Sequence, residues 1–223
     1  MKNHIIVTGI VILGLFACKS QDSVYEEFLV PNGLIYPAAA QNVTARPGNQ
    51  RIEISWTKSS DTRVTKARIF WNNYADSDEV AVNRDLDTIR RTINNLEEGT
   101  YSFVIRMYDS DENASVPIEV FGRVYGKSYV GSLSNRWVKS AIYSAYNNSL
   151  TIDWYDANQN EVGISLTYTD IQNNSQTMMV ASTATRTTIS DFNGGSLLYI
   201  TLYKPHPLSI DVFHAPTVNL SYE

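Results

Sequence analysis

Apolar and polar positions alternate with a period of two through most of the chain. In Arg51-Ile52-Glu53-Ile54-Ser55-Trp56, Ile52, Ile54 and Trp56 fall on one face, the pattern of a half-buried strand. Four further strands are predicted over Val64–Trp71, Glu79–Asn83, Thr88–Leu96 and Tyr101–Tyr108. Turn-forming residues separate them at Arg46-Pro47-Gly48-Asn49, Asp76-Ser77-Asp78, Glu97-Glu98-Gly99 and Asp109–Asn113. Beyond the first residues no stretch sustains a helical period. Short strands at this spacing indicate an all-β sandwich or barrel.

The second half repeats the first. Ser149–Trp154 mirrors the strand that ends in Trp56, and Ile164–Tyr168 mirrors Ala67–Trp71. Thr187–Phe192 mirrors Arg91–Leu96, and Tyr199 is matched to Tyr101. Matching strands in matching order predict a duplicated domain. A boundary near Gly122 to Gly126 gives units over residues 41–122 and 123–223, each of ordinary sandwich size.

The N-terminus follows a different grammar. Lys2 precedes an apolar stretch from Ile5 to Phe16, too short for the roughly 20 residues of a membrane-spanning helix. Residues 1–17 therefore read as a secretory signal peptide. Leu15-Phe16-Ala17-Cys18 resembles the bacterial lipobox, in which cleavage precedes a lipidated cysteine. Cys18 is the only cysteine in the chain and directly follows the apolar stretch, so it is the expected lipidation site. Residues 18–40 are read as the lipidated Cys, a polar tether and an N-terminal strand. The implied location is lipid-anchored at the outer membrane, with the periplasmic and cell-surface faces both open.

Composition narrows the chemistry. Of 223 residues, 18 are Lys or Arg and 23 Asp or Glu, a net charge of −5 that argues against gripping nucleic-acid phosphates. One Cys and three His leave little room for thiol catalysis, zinc–cysteine sites or a disulfide framework.

The first unit resembles a fibronectin type III domain. Trp56 stands where that family keeps its core tryptophan, and Leu96-Glu97-Glu98-Gly99-Thr100-Tyr101 matches the spacing of its tyrosine corner. The second unit departs from the pattern, with Phe192 for the Leu and Gly194-Gly195 in the turn. The fold expected is two tandem β-sandwiches of fibronectin type III or immunoglobulin-like type. The mature chain as a whole is similar to Bacteroidetes lipoproteins that carry a domain of unknown function. The residues that carry this likeness are Tyr25–Leu29, Gly33–Tyr36, Arg46-Pro47-Gly48, Trp56, Asp61 and Ile69–Asn72. Val124-Tyr125-Gly126, Leu133–Arg136, Tyr203-Lys204-Pro205 and Ile210–Phe213 complete them. The resemblance implies a tethered outer-membrane protein, of a kind often found with glycan-uptake systems. It implies no reaction.

Asp109–Asn113 starts like a calcium loop but has Ala114 and Val120 where an EF-hand needs Gly and Glu, so an acidic turn is preferred. His206 and His214, with Asp211 between them, are read as surface residues rather than metal ligands. The carboxylates Asp61, Asp153, Asp156, Asp170 and Asp191 mark no catalytic pair, and no nucleophile or phosphate-loop motif is present. No catalytic residue, metal or cofactor is assigned.

Aromatic residues supply the remaining lead. In the type III arrangement Val64–Trp71 neighbours Tyr101–Tyr108, with Ala67, Ile69 and Trp71 turned inward. Arg68, Phe70, Arg106 and Tyr108 are then expected to share the outer face. That face is either a ligand surface or a packing surface for the second unit or the N-terminal segment. Trp137 is a further candidate, with interdomain packing the preferred role. The function expected is a non-catalytic binding or accessory module for glycan capture, partnered by polysaccharide or other outer-membrane uptake proteins. The competing reading is a structural spacer or adhesin contacting another protein or a host surface.

Overall fold

The computed structural model describes residues 36–221. The signal peptide and Cys18 lie outside the described residues. The description below concerns the unit that begins at Pro37.

Strands β1 (Gln41–Pro47), β2 (Arg51–Thr57) and β5 (Thr88–Asn94) form an antiparallel sheet in the order β1-β2-β5. Strands β3 (Lys66–Trp71), β4 (Asp76–Ala81), β6 (Gly99–Tyr108) and β7 (Ile118–Val124) form a second, in the order β4-β3-β6-β7. The alternation in the sequence becomes the core between them. Ile52, Ile54 and Trp56 project from one sheet, and Ala67, Ile69, Phe103, Ile105 and Met107 from the other, all fully buried. The Tyr101 hydroxyl donates to Glu97 O at 3.1 Å, which closes the tyrosine corner the spacing predicts. This is the fibronectin type III arrangement.

The same wiring recurs. Strands β8 (Val138–Ser144), β9 (Ser149–Trp154) and β12 (Arg186–Ile189) form one sheet, ordered β12-β9-β8. Strands β10 (Glu161–Asp170), β11 (Ser175–Ala181) and β13 (Phe192–Tyr203) form the other. The far edge of β13 is covered by two short strands, β14 (Phe213–His214) and β15 (Val218–Ser221), where the first sandwich uses the single β7. Pro216, which has no N–H to give a ladder, stands between them. Leu150, Ile152, Trp154, Ile164, Leu166 and Phe192 fill this second core.

Three local expectations are corrected. Asp76-Ser77-Asp78 is not a turn: these residues pair with Trp71, Phe70 and Ile69 as the start of β4. The turn lies at Asn72–Tyr74, all three at positive φ. Tyr199 does not repeat the corner of Tyr101. It stands opposite Leu166, the place Ile105 takes opposite Ile69, and its hydroxyl donates to Arg136 O. The chain also contains a helix, α1 (Lys127–Ser132). Its first turn is held by Glu98, whose carboxylate accepts from Ser128 N at 2.8 Å and Tyr129 N at 3.0 Å. A six-residue helix capped from so far away leaves no periodic trace.

The sandwiches meet in a junction with its own small core. Tyr203, Phe213 and Ala215 from the second pack with Tyr125, Tyr129, Val130 and Leu133. Asp211 accepts from Asn49 N at 2.8 Å and from Arg51 Nε at 2.9 Å, and Ile210 N donates to Pro47 O at 2.8 Å. A Cβ on Gly48 would lie 2.6 Å from the Asp211 carboxylate, so only glycine fits this approach. The connecting segment is pinned along β13. Thr201 N donates to Asn135 Oδ1 at 2.7 Å, Arg136 N to Thr201 Oγ1 at 2.8 Å, and the Tyr203 hydroxyl to Ser134 O. Pro47-Gly48, Tyr125, Leu133, Tyr203 and Ile210–Phe213 therefore converge on one interface.

Candidate functional site

The outer face of the β4-β3-β6-β7 sheet divides into two halves. Phe70 on β3 stands opposite Val104 on β6, and Val104 opposite Glu119 on β7, so the three form a row across the sheet. Ser102 and Phe121 pair one step along, and Phe121 is 68% exposed. The hairpin between β3 and β4 then brings Tyr74 beside this row. Its ring centroid lies 5.1 Å from that of Phe70.

The turn itself is unusual. Asn72, Asn73 and Tyr74 have φ of 49°, 53° and 66°. Asparagine tolerates the left-handed region because its short amide bonds locally, but tyrosine gains nothing from it. Strain of about 1–3 kcal/mol at such a residue persists only when the surroundings impose it, and it concentrates at functional sites. Its effect here is to present an aromatic ring, about half exposed, above the sheet.

Phe70, Trp71, Asn73, Tyr74, Ser102, Val104 and Glu119 enclose a surface groove of about 270 Å³. Ser102 Oγ donates to the Glu119 carboxylate. The groove thus offers the exposed ring of Tyr74, the half-buried rings of Phe70 and Trp71, an amide, a hydroxyl and a carboxylate, with no cation among its lining residues.

The other half of the face is internally committed. Tyr108 is buried, with the Arg68 guanidinium 5.2 Å and the Lys66 ammonium 5.9 Å from its ring centroid. Arg68 donates to Glu79 at 2.6 Å, and Lys66 bridges Glu112 at 2.6 Å and Glu79 at 3.4 Å. These bonds raise the affinity of Lys66 and Arg68 for their protons and lower that of Glu79. Arg106 is half-buried and donates weakly to Ser115 O at 3.4 Å. The expected exposed patch is therefore corrected. Phe70 belongs to a groove, whereas Tyr108 lies beneath a lid of paired cations. Tyr74, Asn73, Ser102, Val104 and Glu119 escaped the sequence reading: the turn was expected at Asp76-Ser77-Asp78 rather than at the Asn72-Asn73 pair, and Val104, which has the outward phase of Arg106 and Tyr108, was not taken as a site residue.

Trp137 is 73% exposed and lies outside the junction core. Interdomain packing, its preferred role, is corrected: it borders a shallow apolar depression with Val138, Tyr199, Val218 and Leu220. Beside it lies an unusual buried pair. Arg136 Nη1 stands 3.5 Å from Glu161 Oε1, which has no hydrogen-bond partner among the described residues. Arg136 gives its shorter bonds to Tyr155 O at 2.6 Å and Ser182 O at 3.1 Å. Burial pushes the Glu161 carboxyl above its ordinary range, because this long contact does not offset desolvation.

Asp109 accepts from the backbone N–H groups of Asp111 and Asn113, closing the turn between β6 and β7. Asp211 is committed to Arg51 and Asn49, while His206 and His214 are exposed. Asp61 binds Arg63, and Asp153 binds Arg186 and Ser140. Among the described residues no cluster of three or more His, Cys, Asp or Glu side chains forms a metal site.

A family model described as a domain of unknown function, DUF4998, matches residues 18–213. No curated protein matches the chain. Similar solved structures include the FN1–FN3 domains of chicken CNTN1, at 10% identity and a TM-score of 0.44, covering 86% of this chain and 69% of that one. A two-domain fibronectin type III segment of chicken tenascin is similar at 12% identity and a TM-score of 0.33. That match covers 82% of this chain and 98% of the tenascin segment.

Proposed function

The chain belongs to the DUF4998 family of domains of unknown function, and on that premise we propose that it is a non-catalytic module that captures glycans. The binding surface is the groove beside Phe70 and Tyr74. The observation that carries this reading is the strained turn that holds Tyr74 over the sheet beside Phe70. Flat rings receive the C–H face of a sugar with little loss of side-chain entropy, and adjacent amide, hydroxyl and carboxylate groups bond its hydroxyls. Attachment through Cys18 places this surface at the outer membrane, where a captured polysaccharide passes to neighbouring uptake proteins.

Affinity electrophoresis of the full chain through gels containing polysaccharides tests the proposal. Retardation that falls about tenfold in apparent affinity on Phe70→Ala supports it, since one stacking ring is worth about 1 kcal/mol beyond its buried area. Metabolic labelling with palmitate, lost in Cys18→Ala, tests the anchor.

A second reading is a structural spacer. It is favoured by the junction, where Asp211 and the Tyr125–Tyr129–Phe213 cluster clamp one sandwich onto the other. Unchanged mobility on every polysaccharide would favour the spacer.

A further inference from the structure

The groove has a neighbour that shares one of its walls. Beyond Trp71 lies a second depression of about 390 Å³, lined by Trp71, Asn72, Asp76, Asn94, Asn95 and Tyr101 among others. Each depression presents aromatic rings and amides, and each contains carboxylates: Glu119 in the first, Asp76 and Glu97 in the second. Neither is lined by Lys, Arg or His. The nearby cations are spent elsewhere, Arg68 on Glu79 and Arg91 on Asp78 at 2.6 Å.

Resting on the glycan reading above, we infer that the two depressions are adjoining subsites for an uncharged oligosaccharide, and that their carboxylates reject acidic glycans. Carboxylates only accept hydrogen bonds, so they require a ligand rich in donors, which neutral sugar hydroxyls supply. A uronate or sulfate would bring a second negative charge against Glu119, Asp76 or Glu97 with no cation between them. Basic peptides would meet the same carboxylates and are therefore an arm of the test below; Glu119 and Asp76 each keep lone pairs for sugar hydroxyls beside the bonds they accept from Ser102 and from Asn72 Nδ2. The shared Trp71 sets the minimum ligand length, because a single ring fills only one side of it.

The test uses the full chain on an array of neutral, uronic and sulfated oligosaccharides, with an arm of Lys- and Arg-rich peptides. Titrations of the strongest neutral series from one to six sugars follow. The expected result is neutral binding at least tenfold tighter than that of the matched acidic glycan. Affinity should rise from one to two or three sugars, and the charge discrimination should shrink below threefold in the double variant Glu119→Gln, Asp76→Asn. Acidic glycans bound as tightly as neutral ones, or a monosaccharide bound as tightly as a trisaccharide, would overturn this inference and leave glycan capture standing. Binding to basic peptides alone, or to nothing on the array, would overturn glycan capture itself.

Discussion

Tyr74 is the residue whose conformation the rest of the molecule must enforce. At a φ of 66° it does what an asparagine or glycine would do with less strain. Tyr74→Asn is therefore expected to hold or raise the melting temperature by a few degrees while weakening glycan retention. Thermal unfolding alongside gel retardation separates the two effects, and a fall of several degrees would show that the ring serves stability instead. Arg136 and Glu161 make an opposite case. Arg136→Met strands a buried carboxylate and is expected to destabilise by about 3–5 kcal/mol. Glu161→Gln leaves the buried Arg136 guanidinium held by the Tyr155 and Ser182 carbonyls alone and is expected to destabilise as well, but by less than Arg136→Met, as chemical denaturation would register. Period two correctly turned Tyr108 to the outer face, yet it is buried there. Its cover is made by the stems and charges of Lys66 and Arg68 on the neighbouring strand, and an alternation pattern does not record what lies over a face.

At the scale of elements, the strands with strict alternation were legible: β2 and β9 were read almost to the residue, with Trp56 and Trp154 in their cores. Elements fixed by distant partners were not. The helix α1 depends on Glu98, and the segment that leads into β14 depends on the bond between its Asp211 and Arg51. The contact of Asp211 with Arg51 has a measurable pH signature. Hydrogen bonds from Arg51 and Asn49 N hold the Asp211 carboxyl below its usual range. A carboxylate lowered on folding contributes stability above its unfolded value of about 3.9, and that contribution is lost as pH falls through the native value. Denaturation from pH 7 to pH 2 should show a smaller acid loss in Asp211→Asn than in the wild type. Glu161 has the opposite sign: its raised value favours the folded state below the unfolded range, and that benefit disappears as pH rises through the native value.

At the scale of the whole molecule, the duplication was visible because both copies repeat the same alternation and the same tryptophan. The junction was not legible as an interface. Its motif residues stood in the sequence as short separate strings, and only the fold brings Gly48, Tyr125, Asp211 and Phe213 to one place. A clamped junction makes a direct expectation. Asp211→Ala and Gly48→Ala should each speed limited proteolysis between residues 125 and 136, while the spectroscopic signature of the two sandwiches stays unchanged. Equal cleavage rates would mean that the Arg51–Asp211 contact does not hold the sandwiches together.

Glycan capture by the strained aromatic groove is tested most directly by calorimetric titration of the wild type and Phe70→Ala with the best neutral oligosaccharide from the array. The expected result is saturable binding by the wild type, weakened about tenfold in the variant with the melting temperature little changed. Equal affinity in the two proteins, or no heat of binding in either, would contradict it.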